Sequence, residues 1–115
     1  GKIKKVLLSS GKIYYDLVRH KQDNDLNDHA LVRLEQLYPI ARHQLYNIKN
    51  QYPNAKWAWI QEEPRNMGAG YYVRAALHAP NLKIIARMPS ASTATGFASV
   101  HKEEQKALII KAFET

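Results

Sequence analysis

The sequence predicts a parallel α/β domain with helices on both faces of its sheet. Three observations predict it. Four short apolar runs of strand character alternate with four helix-like runs, and the loops between them are short. The first run, KVLLSS, has no polar alternation, as expected of a strand covered on both sides. Strict alternation of this kind favours a parallel sheet, and right-handed crossovers then fix most of the topology.

The elements follow in order. Lys5 to Ser10 reads as the first strand, and Gly11 breaks it. Ile13, Leu17 and Val18 recur at helical spacing up to about Lys21. DNDLND (23–28) is a polar loop, and HALVRLE (29–35) is the second strand. Tyr38-Pro39 marks a boundary. Ala41, Leu45, Ile48 and Tyr52 then form an amphipathic series that Pro53-Asn54 ends. KWAWIQ (56–61) is the third strand, a helix is expected over 68–78, and Leu82 to Arg87 is the fourth strand. The small-residue loop PSASTATG (89–96) leads into a last helix from about Ser99 to Phe113. No repeat, low-complexity tract or linker interrupts the series, so residues 1–115 read as one domain.

Composition bounds the function. The 115 residues suffice for a real core, and 45% hydrophobic with 23% charged residues is a globular balance. There is no apolar stretch of membrane-spanning length and no signal-peptide pattern. Cysteine is absent, which removes disulfides, thiolate nucleophiles and thiolate metal sites together. The chain opens on Gly1 rather than Met, so a piece of a longer protein is expected. The net charge of +7 suggests anionic partners. Yet Lys2, Lys4 and Lys5 form the only basic cluster along the chain, and no aromatic–basic ladder follows one element. A solvated basic surface is favoured over a nucleic-acid groove, and no membrane partner is expected.

In a parallel sheet, ligands sit beyond the carboxyl ends of the strands. SSGK (9–12) lies there but lacks both the earlier glycine and the following Ser or Thr of a phosphate loop. A plain turn opening a helix is the better reading. NMGAG (66–70) is only G-x-G, with Val73 where a dinucleotide fingerprint needs its third glycine. GxSxG, HxH and HExxH are absent. His101 and Glu104 share a helical face, but two residues alone read as a solvated pair rather than metal ligands. Trp57 and Trp59 fall on one strand face, where packing under a helix is expected.

The stretch WIQEEPRNMGAGYYVR (59–74) raises the sharper question of paired acids beside glycines. Glu62 and Glu63 are adjacent, so on an extended strand they leave opposite faces, which argues against a catalytic dyad. Pro64 is expected to take the chain out of the sheet, and Gly68 and Gly70 to permit a tight turn close to it. Of the two acids, Glu62 is expected to anchor the turn or pair with a basic side chain. Glu63 would then face solvent or another domain.

Several segments appear together and in order: SSGKIYYDL (9–17), VRLEQLYPI (32–40), QYPNAKWAWIQEEPRNMGAGYYVR (51–74), ARMPSASTATG (86–96) and VHKEEQKALI (100–109). In that combination the chain resembles the C-terminal domain of the thiamine-diphosphate-dependent first component of the 2-oxoglutarate dehydrogenase complex. EQLYP, QEEPxNxGA and SAS-x-ATG followed by VHxxEQ carry the resemblance.

The resemblance implies a transketolase C-terminal-domain-like fold, three layers α/β/α, with the four strands in order 2-1-3-4. Transketolases add an antiparallel edge strand, whose match is expected either to lie upstream of Gly1 or to be missing. It also implies a C-terminal fragment of a large homodimeric enzyme using thiamine diphosphate and Mg²⁺. That enzyme decarboxylates 2-oxoglutarate and passes succinyl to the lipoyl group of the next component, in the citric acid cycle. The implied compartment is the cytoplasm of a bacterium, the favoured source, or the mitochondrial matrix of a eukaryote. The implied partners are the enzyme's other domains, its second subunit and the lipoyl-bearing succinyltransferase. The family's cofactor motif, GDG with a downstream asparagine, is absent, so no catalytic residue, cofactor ligand or metal ligand is expected in this segment. The expected role is structural, bracing the dimer.

The alternative is a regulatory module for an acyl-CoA or nucleotide. Its expected contacts are Arg87 with Ser90, Ser92 or Thr93, since a guanidinium and hydroxyls suit phosphate. A hydroxyl-rich turn with a solvated arginine is the other reading of the same residues.

Overall fold

The computed structural model describes residues 2–37, 39–87 and 98–114, with the side chains of the last helix described from residue 102 onward. Its elements are β1 (Lys5–Ser9), α1 (Ile13–Asp23), β2 (His29–Arg33), α2 (Arg42–Gln51), β3 (Lys56–Pro64), α3 (Gly70–Ala76), β4 (Lys83–Arg87) and α4 (Ala98–Ala112). The strands form one parallel sheet in the order β2-β1-β3-β4. Both the alternation and the strand order expected from the sequence are observed.

Period-two alternation divides the core into two layers. Val6, Leu8, Trp59 and Ile84 point to one face, where Leu45 of α2 and Val73 of α3 cover them. Leu7, Ala58, Ile60 and Ile85 point to the other, beneath Ile13 and Leu17 of α1 and Leu108, Ile109 and Ala112 of α4. Every residue of β1 is buried, which accounts for its unbroken apolar run. Trp59 is 2% exposed. Trp57 shares its face but is only partly covered, because it lies near the amino end of β3, where the helices leave a cleft.

The ends of the elements differ from expectation for local reasons. β2 stops at Arg33 because its partner β1 ends at Ser9, the residue paired with it. β3 runs on to Pro64 instead of leaving the sheet before it. The register between β3 and β4 shifts after Ile60↔Ile85 and resumes at Pro64↔Arg87. Proline lacks an N–H for the ladder but is accommodated next to such an irregularity.

The outer side of β4 is closed by arginines. Arg74 donates from Nε and Nη2 to the Leu82 carbonyl at 3.1 and 2.8 Å, and Arg65 Nη2 donates to the Ile84 carbonyl at 3.1 Å. Leu82 and Ile84 alternate along the chain, so their carbonyls face the same side, and a guanidinium has no room between paired strands. These contacts therefore lie along the free edge of the sheet.

One charged residue belongs to the core of this arrangement. Lys5, 7% exposed, extends from β1 and donates to the carbonyls of Ala112 at 3.1 Å and Glu114 at 2.8 Å. It satisfies carbonyls left open at the end of α4, where the helix dipole favours a cation. Phe113 packs beside the rings of His20 and His29, at centroid distances of 5.0 and 4.9 Å, and completes the lock.

Burial holds the Lys5 ammonium below its ordinary range, and nearby Lys83 and Lys56 act in the same direction against Glu114. The unfolded chain, with Lys5 titrating at 10.5, therefore binds more protons than the folded chain between the lowered value and 10.5. Lys5 should make the folded state more stable as pH rises through that interval, and a neutral amine still has N–H groups for both carbonyls. The check is chemical denaturation of the natural chain and Lys5→Met from about pH 7 to 11. The difference between them should change in favour of the natural chain as pH rises.

Candidate functional site

The carboxyl ends of the strands carry the polar residues singled out in the sequence. At the end of β3 the ordering side chain is Gln61, only 3% exposed. Its Oε1 accepts from Trp59 Nε1 at 2.9 Å and from the Gly70 backbone N–H at 3.1 Å. Its Nε2 donates to the carbonyls of Glu63, Pro64 and Met67 at 3.2, 2.8 and 2.7 Å. One carboxamide thus ties the strand, the turn and the first residue of α3 together.

The anchoring expected of Glu62 is supplied by Gln61. A carboxylate offers acceptors only, whereas this buried site needs a donor and an acceptor at once, without a charge to desolvate. The glycines fit the same contact. Gly68 has φ +76°, and a Cβ there would lie 3.2 Å from the Gln61 amide. At Gly70 a Cβ would meet Gln61 Oε1 at 2.9 Å, and Trp59 Cδ1 and Ile84 Cγ2 at 3.1 Å each.

The two glutamates separate. Glu62 turns toward α4, where its Oε1 accepts from Gln105 Nε2 at 2.9 Å. Glu63 is exposed, and its carboxylate has no partner among the described residues. Gln105 also donates to Asp16 Oδ2 at 3.0 Å, and its Oε1 accepts from Arg87 Nη2 at 2.6 Å. Arg87, with a side chain 16% exposed, reaches Glu104 at 3.5 Å. Gln105 therefore joins α1, β3, β4 and α4 at one edge. Neither Gln61 nor Gln105 was singled out from the sequence; a polar residue at an inward strand position next to tryptophan was the available signal for Gln61.

Ser90, Ser92 and Thr93 lie outside the described residues, as does the side chain of His101. Among the described residues no three metal-ligating side chains converge. The carboxylates at this edge, Asp16, Glu62 and Glu104, are linked through Gln105 and Arg87. The described residues do not fit a thiamine diphosphate–Mg²⁺ site. What the edge can do chemically is hold elements in place, with Arg87 engaged within it and Glu63 exposed.

Comparison with known proteins agrees with this architecture. Residues 1–113 match the family described as 2-oxoglutarate dehydrogenase C-terminal. The chain is 41% identical to the 2-oxoglutarate dehydrogenase E1 component of Cupriavidus necator over 98% of its own length and 12% of that protein. It is 40% identical to the E1/E2 component of Corynebacterium glutamicum, covering 99% of the chain and 10% of that protein. A probable 2-oxoadipate dehydrogenase complex component E1 homolog of Dictyostelium discoideum is 38% identical, over 96% of the chain and 13% of that protein. Among solved structures, a split-gene transketolase forming an inactive β4 tetramer matches with a TM-score of 0.65 at 14% identity, over 98% of this chain and 40% of that one. That likeness establishes the fold. The chain spans roughly a tenth of the lengths of its sequence relatives.

Replacing Gln61 with Met keeps the volume and removes the amide. Buried donors and acceptors left open typically cost about 1–3 kcal/mol. Gln61→Met should therefore lower unfolding stability by at least about 2 kcal/mol. Glu62→Gln, at an exposed side chain, should stay within about 0.5 kcal/mol. Denaturant unfolding followed by tryptophan fluorescence measures both.

Proposed function

The chain belongs to the 2-oxoglutarate dehydrogenase C-terminal family, and from that membership we propose that it is the structural, dimer-bracing domain of a 2-oxoglutarate dehydrogenase E1 and takes no chemical step itself. The observation that carries this reading is the match of residues 1–113 to the family described as 2-oxoglutarate dehydrogenase C-terminal, together with relatives named as E1 and E1/E2 components. In the longer enzyme, thiamine diphosphate with Mg²⁺ would supply the decarboxylating chemistry from other domains. The product succinyl group would pass to the lipoyl arm of the partner component. The other domains and a second subunit are the proposed neighbours of this one, and the bacterial cytoplasm its proposed location. Recognition of the 2-oxo acid, 2-oxoglutarate or 2-oxoadipate, would belong to pocket residues outside this segment.

The edge supports a bracing role. Glu62 is engaged by Gln105, Gln61 is wholly committed to the turn, and the two acids of the pair do not converge on a common point. Calorimetric titration of the chain with thiamine diphosphate and Mg²⁺ should give no specific heat, and saturable micromolar binding would sink the proposal. In the longer enzyme, Glu62→Gln and Glu63→Gln should leave kcat/KM for decarboxylation within about twofold once dimerisation is matched.

A regulatory reading rests on Arg87, which Gln105 and Glu104 hold at the carboxyl edge. With Ser90, Ser92 and Thr93 following it in sequence, it would bind a phosphate by exchanging its contact to Glu104. Amide spectra recorded during a sulfate, coenzyme A or AMP titration should then shift around Arg87 and Gln105. Shifts confined to other regions would remove the site.

A further inference from the structure

The opposite edge of the sheet holds a cleft that neither the family reading nor the Arg87 reading uses. Its volume is about 780 Å³, within the range of small-molecule sites. Trp57, Leu45 and Leu77 give it an apolar interior. One wall is a single face of α2, where Arg42, Leu45, Tyr46 and Lys49 follow at i, i+3, i+4 and i+7. The end of α3 and the turn after it form the other wall.

The rim is cationic for a topological reason. Parallel strands all begin at one edge, and β1, β3 and β4 each begin with lysine: Lys5, Lys56 and Lys83. Lys5 is committed to the carbonyls at the end of α4. Lys4, Lys56, Lys83, Arg42 and Lys49 remain around the opening, and Glu114 is the acidic residue of the lining. None of those five cations has an ion-pair partner among the described residues. Burial first, and then Lys83 and Lys56 at this edge, hold the Lys5 ammonium below its ordinary range.

We propose that this cleft binds a small phosphorylated molecule carrying a flat ring system. Its phosphates would lie among Lys49, Lys56 and Lys83, and its ring against Trp57 between α2 and α3. Lysines on three different elements suit a multiply charged anion better than a single carboxylate. A partly covered indole on a lining shared with Leu45 and Leu77 suits a planar apolar body. The size of the cleft favours this ligand over an acidic protein segment, which would need contact area well beyond it.

The probes are ADP, adenosine and inorganic pyrophosphate, each titrated into the chain and followed by amide and indole NMR. ADP should give saturable shifts at the Trp57 indole and along α2, with the buried Trp59 indole nearly unmoved. Adenosine and pyrophosphate, each lacking half of the recognised chemistry, should bind at least about tenfold more weakly. The exposed pair Lys49→Ala/Lys56→Ala should weaken ADP by a similar factor with the amide spectrum of the core unchanged, and added salt should weaken it further. Trp57→Phe should retain the phosphate contacts and reduce the preference for ADP over pyrophosphate. The proposal is overturned by an absence of shifts at the cleft at millimolar ADP, by binding indifferent to the lysine pair, by shifts centred on Arg87, or by an acidic peptide that binds there while ADP does not.

Discussion

The Gln61 carboxamide is the contact on which the carboxyl half of the domain depends. Five hydrogen bonds converge on one neutral group, from Trp59 and Gly70 and to Glu63, Pro64 and Met67. Several constraints follow. The strand must bend before Pro64, so that successive carbonyls reach the same amide, and the β3–β4 register shifts there. The helix must begin at a residue without a Cβ, because Trp59, Ile84 and Gln61 leave no room for one. Once the turn is fixed, Glu62 is delivered to the opposite face of the sheet, within reach of Gln105, and Gln105 in turn positions Arg87. A neutral amide suits this role where an acid does not, since it serves donors and acceptors together at a site almost without solvent.

Lys5 plays a comparable part at the other end of the sheet, with a different balance of forces. Its ammonium satisfies the end of α4, a helix whose packing on β3 and β4 closes one face of the core. Burial and the neighbouring lysines oppose the charge, while the open carbonyls and Glu114 favour it. The fold therefore has one edge where polar groups are joined through Gln61 and Gln105 and another where, among the described residues, cations gather without ion-pair partners. That asymmetry distinguishes the two edges more clearly than any motif in the chain.

The architecture was legible because it rests on short-range signals. Apolar runs, glycine and proline breaks, and strand–helix alternation fix the layers and the parallel sheet without knowledge of tertiary contacts. The strand order came with the family resemblance. The site was less legible. Glu62 and Glu63 draw attention because paired acids are conspicuous, yet the polar centre is Gln61, a neutral residue whose importance appears only when a turn folds back over it. Gln105 is similar: its partners Asp16, Glu62 and Arg87 lie on three other elements, and no local pattern links them. Pro64 lacks an N–H and so argues against a regular ladder in sequence, while the irregular register before Pro64↔Arg87 removes the objection.

Charge shows how topology changes the meaning of a sequence. Along the chain, Lys56 and Lys83 are isolated residues 27 positions apart, one opening the third strand and the other following Leu82 in the fourth. In a parallel sheet every strand starts at the same edge, so these residues become neighbours of Lys4 and Lys5 without any clustering in sequence. An antiparallel sheet would send alternate starts to opposite edges and disperse the same charge. The net charge of +7 thus has direction only after the strand order is known. Three of the four strands begin with lysine, so the basic rim is a consequence of the fold class acting on a feature that the linear sequence presents as scatter.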